Sequence, residues 1–247
     1  MLAWLSSKLR ERLNGPSRRA FRRVADTFLS PIGSINGARR PTNSVAITFD
    51  DGPDGEVTPR LLDLLRGRGV RATFFVLTDK VATDPVLAKR LIDEGHEVGL
   101  HFDRHDRLTQ LPVAEVLERM DVALKGLRSW AGPVRFFRPP FGAQSFATYR
   151  AARARGLEIV AWGPFAEDWL EQTPAAAADK ALNGMKGGDV VLLHDGLEID
   201  DDERPTFDRV RMVELMLDGM AARGLNPTTV GAMVDADGPR RSAWFRL

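Results

Sequence analysis

The chain has 247 residues, 43% hydrophobic and 28% charged, with no cysteine and a formal net charge of +1. Such a composition excludes a disordered protein and supports a sizeable core, with one α/β barrel or two small domains both open on length. The missing cysteines exclude disulfides, thiolate metal sites, iron–sulfur clusters and a cysteine nucleophile, so any metal must sit on His, Asp or Glu.

The balanced charge is uneven along the chain. Residues 1–40 set nine basic side chains against Glu11 and Asp26, giving +7, and the remaining residues carry −6. Leu2, Leu5, Leu9 and Leu13 form an apolar stripe at helical spacing, Asn14-Gly15-Pro16 stops it, and Phe21, Val24 and Phe28 resume it. Arginines fill the other faces. One reading is a pair of helices on an anionic membrane surface, contacting it peripherally through residues 1–30. The other, slightly favoured, packs both helices on the acidic body. A nucleic-acid role is not expected, because no recognised binding fold surrounds the basic residues. Nowhere do about 18 apolar residues run without a charge. Only seven residues precede Lys8, which argues against a secretory leader, so a cytoplasmic protein is expected, with the inner membrane face open to it.

From Pro41 onward, short apolar runs alternate with helical patterns. Predicted strands cover 45–49, 72–76, 97–100, 134–137, 157–162 and 190–193, with a weaker one at 225–228. Helices are predicted over 58–68, 85–94, 112–130, 146–155, 174–185 and 206–223. Gly69, Gly95, Gly156 and Gly224 each follow a helix, where a left-handed residue ends it. About seven βα units point to a single TIM-like barrel, complete or incomplete, over 41–247, with 1–40 as an N-terminal helical extension.

In such a fold the chemistry gathers at the C-terminal strand ends. Asp50-Asp51-Gly52-Pro53 follows the first strand, His101-x-x-x-His105 the third and Arg138-Pro139-Pro140-Phe141-Gly142 the fourth. Asp168-Trp169 lies beyond the fifth, and His194-Asp195 ends the sixth. Two histidines at i, i+4 with one carboxylate make a three-ligand site of the catalytic zinc type. Of Asp50 and Asp51, one can bind metal and the other act as base. His194 is placed to protonate a leaving group, and Arg138 and Asp168 to tune the base and the acid. This set describes metal-assisted hydrolysis of an amide or ester.

These motifs, in this order, resemble the NodB-homology polysaccharide deacetylases, carbohydrate esterase family 4, over roughly residues 44–230. The resemblance implies a distorted (β/α)7 barrel and removal of N-acetyl groups from amino sugars. It makes Asp50 the base, Asp51, His101 and His105 the metal ligands and His194 the acid, with Asp168 orienting His194 and Arg138 holding Asp50. Trp169 and Leu192 resemble the walls of the acetyl-methyl pocket, and Phe141 joins them as a substrate contact. Zinc is the expected metal, with cobalt or manganese as substitutes. Two positions depart from the pattern. Phe102 stands where the family has Ser or Thr, whose hydroxyl steadies the metal loop, and Phe165 where the DxxDW form has its first Asp.

Other notable residues are expected to be structural: His96 before the third strand, and Trp130 and Trp162 in the core. The acidic loop Glu198-Ile199-Asp200-Asp201-Asp202-Glu203 is read as a solvated rim. The expected substrate is an N-acetylated amino sugar on an oligosaccharide, lipid or nucleotide, since a cytoplasmic site argues against intact wall polymer. The rival readings are a deformylase or other hydrolase of a non-sugar amide, and a non-catalytic scaffold.

Overall fold

The computed structural model describes residues 33–199 and 204–243. The helical stripes of residues 2–28 and the acidic positions 200–203 lie outside the described residues.

The organising strand is β2 (Ser44–Asp50), whose Val-Ala-Ile-Thr-Phe run is buried throughout. Its alternation separates two faces: Val45, Ile47 and Phe49 join the larger core under the helices, and Ala46 joins a smaller core on the concave side. Thr48 and Asp50 share the parity of Ala46 and therefore the concave face. On one side β2 pairs in parallel with β3 (Thr73–Leu77), which pairs with β4 (Glu97–Phe102). The ladder continues to β5 (Phe136–Phe137) and β6 (Glu158–Ile159). On its other side β2 pairs with β7 (Val190–His194) and, at its start, with β8 (Asn226–Thr228).

Helices return the chain between strands: α1 (Val57–Gly67), α2 (Thr78–Thr83), α3 (Pro85–Asp93), α4 (Val113–Ala131), α5 (Phe146–Ala154), α6 (Pro174–Leu182) and α7 (Arg209–Ala222). Several start on side-chain caps. Asp84 accepts from Leu87 N–H, Thr173 from Ala176 N–H and Asp208 from Val210 and Arg211 N–H, each satisfying orphan donors of a first turn. The four glycines predicted to end helices all have positive φ, from 64° to 80°.

The expected α/β architecture with a parallel sheet is present, and the sheet of the expected distorted, TIM-like barrel is open. The chain leaves β6 after two residues, and Pro164 has no N–H to continue a ladder. Between β6 and β7 there is only an isolated bridge, Phe165 to Leu192, with Gly163 N–H donating to Val190 and Leu192 N–H to Pro164. A strand read as part of the extension fills the concave side instead. This is β1 (Ser34–Ala38), which touches both edges through bridges at Val160 and Asp189 and pairs antiparallel with β9 (Pro239–Ser242). Ile35 of β1 packs with Phe75, Phe136 and Val160, and with Val230, Met233 and Val234 of α8 (Val230–Asp237). The boundary read at residue 40 thus falls after a strand that belongs to the packing of the body. Among the described residues, no helix is long and apolar enough to cross a membrane.

Candidate active site

The register of β2 brings the two halves of the site together. Asp50 lies opposite His194 of β7 on one side and Phe75 of β3 on the other. Asp50 is 3% exposed, and its Oδ1 accepts from Nη1 of Arg138 at 2.6 Å. Arg138 follows β5 and is fully buried. Its Nη1 also donates to the Thr48 hydroxyl at 2.8 Å, and that hydroxyl donates to the Val191 carbonyl at 2.5 Å. Nε and Nη2 reach the Val160 and Ala161 carbonyls, each at 3.3 Å. The guanidinium lies 4.2 Å over the Phe75 ring. Gly99 makes room for that ring, because a Cβ there would come within 2.6 Å of it. Burial pushes the Arg138 value down and the Asp50 charge opposes this. A buried cation is tolerated here because its donors are used and its charge is matched.

One residue on, the backbone of Asp51 turns into the left-handed region at φ 70°. That turn swings the second carboxylate to the concave side too, despite the alternation that separates neighbours in a strand. Asp51 Oδ1 lies 3.1 Å from Nε2 of His101 and 3.4 Å from Nε2 of His105. Bonds of about 2.1 Å at a tetrahedral angle separate ligand atoms by roughly 3.4 Å, close to these spacings. Asp51 Oδ1 is buried yet accepts no hydrogen bond among the described residues. An orphaned, buried carboxylate oxygen facing two imidazole nitrogens fits a divalent cation, and these are the three residues that could hold one. Burial raises the Asp51 carboxyl, but the histidines outweigh it and hold the group well below the usual carboxylate range. Burial lowers His105 to about 4, which keeps its imidazole neutral and ready to ligate.

On the other side of the site, His194 is oriented by Asp168, which is fully buried in the loop after β6. One Asp168 oxygen meets Nδ1 of His194 at 2.8 Å, and the other accepts the His194 backbone N–H at 2.7 Å. This leaves Nε2 of His194 as the nitrogen free of Asp168. Burial opposes its charge, but Asp168, then Asp51 and Asp50, raise His194 to about 9. The Trp169 ring stands edge-on to His194 at 5.5 Å, and Phe165 stacks on Trp169 at 6.0 Å with planes 13° apart. Leu192 has the strand parity of His194 and is 4% exposed. Phe141, exposed and at φ 58°, stands 4.2 Å from the His105 ring.

All ten residues singled out in the sequence thus belong to this site and its borders. His96 is structural as expected. It accepts the Ala72 N–H, packs edge-on against Phe74, and is lowered to about 4 by burial. Trp162 lies 5.7 Å from the Arg138 guanidinium, and Trp130 packs against the larger core. Three supporting residues escaped the sequence reading. Thr48 relays Arg138 to β7. Asp195, buried under Gly52 and pushed up to about 7 mainly by burial, accepts from the Thr58 hydroxyl at 2.6 Å. Arg119 grips the loop between the two histidines. Asp195 sits inside a motif already quoted and Thr48 two residues before another, so adjacency was their signal, whereas Arg119 is on a helix and had none.

Comparison with known proteins agrees with this arrangement. The family described as polysaccharide deacetylase matches residues 37–160. The chain is 39% identical over 153 residues to a peptidoglycan-N-acetylglucosamine deacetylase of Listeria monocytogenes, covering 61% of this chain but 32% of that protein. It therefore spans about a third of that relative's length. It is 36% identical over 166 residues to a chitooligosaccharide deacetylase of a Bradyrhizobium species, covering 66% of this chain and 74% of the relative. A crystal structure of the peptidoglycan N-acetylglucosamine deacetylase Bc1960 superimposes with a TM-score of 0.74 at 26% identity, covering 85% of this chain and 94% of that one. With the family match spanning half the chain and the motifs gathered on one concave face, the chain belongs to the polysaccharide deacetylase family.

Proposed function

We propose that this chain hydrolyses the N-acetyl amide of N-acetylglucosamine units in an oligosaccharide. The observation that carries the reading is the placement of Asp50 and His194 as strand-register neighbours beside Asp51, His101 and His105. A divalent cation held by those three residues, zinc by the chemistry of the donor set, would polarise the amide carbonyl and acidify a water. Asp50 stays out of that ligand set, its Oδ2 4.0 Å from Nε2 of His101, and accepts the proton of the attacking water. Arg138 holds the Asp50 carboxylate in place through the opposite oxygen. His194, kept protonated by Asp168, donates to the departing amine nitrogen. Trp169 and Leu192 wall the acetyl group, with Phe141 across the site. Phe165, 39% exposed, stacks on Trp169 and widens its aromatic surface, which suits a chain of sugar rings.

The printed names of the relatives, peptidoglycan-N-acetylglucosamine and chitooligosaccharide deacetylases, support this substrate class. A non-sugar amide draws no support from the two departures. Phe102 is fully buried and Phe165 stacks on Trp169. Acetate release from a chitooligosaccharide series, before and after chelation and with zinc, cobalt or manganese restored, tests the proposal. Asp50→Asn and His194→Ala should each abolish release. Release of formate without acetate from a mixed panel, or full activity of either variant, overturns it. A cytoplasmic site and membrane contact through residues 1–30 remain part of the proposal; sedimentation with anionic vesicles, with and without residues 1–32, tests the contact.

A further inference from the structure

Metal-ligating histidines are ordinarily aimed by an acceptor on the ring nitrogen that faces away from the metal. Here Nδ1 of His101 and Nδ1 of His105 are both buried and have no hydrogen-bond partner among the described residues. The hydroxyl that the family pattern places after the first histidine is replaced by Phe102. That ring is fully buried, and the backbone beneath it sits at φ 109°. The rings are in contact with each other at 5.5 Å, and His105 with Phe141 at 4.2 Å, but stacking leaves them free to slide. Their separation therefore depends on the loop backbone at 103–106, beyond the Leu77–Phe102 end of the β3–β4 ladder, where the Asp79 N–H donates to the Asp103 carbonyl.

Besides the exposed Arg104–Asp79 pair, one partly buried side chain holds this loop. Arg119, two turns into α4, donates from Nε and Nη2 to the two Asp103 oxygens, each at 2.9 Å, in a fork. The same Nη2 bonds Asp106, the residue after the second ligand, and Nη1 is held by Glu115 one turn back at 3.0 Å. The guanidinium lies 5.1 Å over the Phe102 ring, so it also covers the residue after the first ligand. Its side chain is 22% exposed and Asp103 21%, which lets the contact persist where an open surface pair would not. Those hydrogen bonds keep the guanidinium more firmly protonated than a free arginine.

We propose that Arg119 is the positioning residue of the metal site. By clamping Asp103 and Asp106 over Phe102 it sets the spacing of His101 and His105. The inference rests on the metal-site reading above and concerns binding of the ion rather than any step of the reaction.

The test is zinc affinity of the full-length protein, stripped by chelation and titrated against a chromophoric chelator, with circular dichroism as the check of fold. Arg119→Met should bind zinc 10–100-fold more weakly, roughly the range for lost outer contacts around metal ligands. Arg119→Lys, which keeps the charge and loses the fork, should fall between it and wild type. At saturating zinc the turnover of Arg119→Met should approach wild type, because the clamp touches no reacting atom. If Arg119→Met does not fold, the pair Asp103→Asn with Asp106→Asn, both on the loop, takes its place with the same expected loss. Folded variants with wild-type zinc affinity overturn the proposal and leave the metal site standing. A wild-type protein that binds neither zinc, cobalt nor manganese overturns the metal-site reading itself.

Discussion

Replacing Asp168 with Asn preserves the size of a fully buried side chain and removes its charge. Two hydrogen bonds from His194 end on its carboxylate, at 2.8 and 2.7 Å. An amide has one acceptor oxygen, so it satisfies one of these donors and turns an NH2 toward the other. Burial disfavours the His194 cation, yet Asp168, Asp51 and Asp50 raise it from 6.5 to about 9. At about 1.4 kcal/mol per pKa unit, the carboxylates outweigh burial by about 3 kcal/mol. A bound divalent cation acts in the opposite direction, so the alkaline limb of the loaded enzyme should lie below 9. In Asp168→Asn, kcat should fall by roughly 10²–10⁴, the worth of a positioned acid, and the alkaline limb should move down by about one unit or more. Stability follows the same proton. A folded value above the unfolded one stabilises fully below about 6.5, and that contribution is lost as pH rises through about 9. The urea midpoint of the metal-free wild type should drop across that window, and that of the variant should drop less. Acetate release and urea melts from about pH 5 to pH 10 measure both. A variant with the wild-type alkaline limb refutes the assignment of His194 as an acid poised by Asp168.

Arg138→Met strands the buried Asp50 carboxylate and the Thr48 hydroxyl. Loss of about 3–5 kcal/mol in denaturant melts is expected, together with loss of activity; a loss below about 1 kcal/mol would contradict the buried-pair account. Gly196→Ala puts a Cβ 2.4 Å from the Asp51 carbonyl oxygen, so the ligand-bearing backbone must move. Metal affinity should weaken by about tenfold or more, and wild-type metal content after dialysis would show that the turn can absorb the methyl. Phe165→Ala removes the ring stacked on Trp169. The KM for a long chitooligosaccharide should rise roughly two- to tenfold, with that for a dimer unchanged. Equal effects on both lengths would count against an extended sugar surface.

The sequence was most legible where chemistry is local. Asp50, Asp51, His101 and His105 lie within short motifs, and a strand end states which residues leave the sheet and where. The six longer helices were equally readable, because the 3.6-residue stripe and the terminal glycines are short-range signals, whereas the short α2 and α8 were missed. β1 and β9 were missed because Ser-Ile-Asn-Gly-Ala and Pro-Arg-Arg-Ser carry no apolar alternation, and their pairing spans some 200 residues. Closure of the sheet was left open by the sequence for a related reason. The number of βα units can be counted along the chain, but whether the first and last edges meet depends on how far β6 extends. A two-residue ladder followed by Pro164 leaves the gap that β1 fills.

The opening composition takes on meaning at this level. With no cysteine, the chain by itself determined that any metal must be held by His, Asp or Glu, and the motifs named which ones. Only the tertiary structure decided how those ligands are held: Arg119 from α4, Arg138 behind Asp50, and Asp195 beneath Gly52. Ligands are specified by side-chain chemistry, which a sequence displays directly. Their supports are specified by what lies within about 3 Å across elements far apart in the chain, which appears only once the chain has folded.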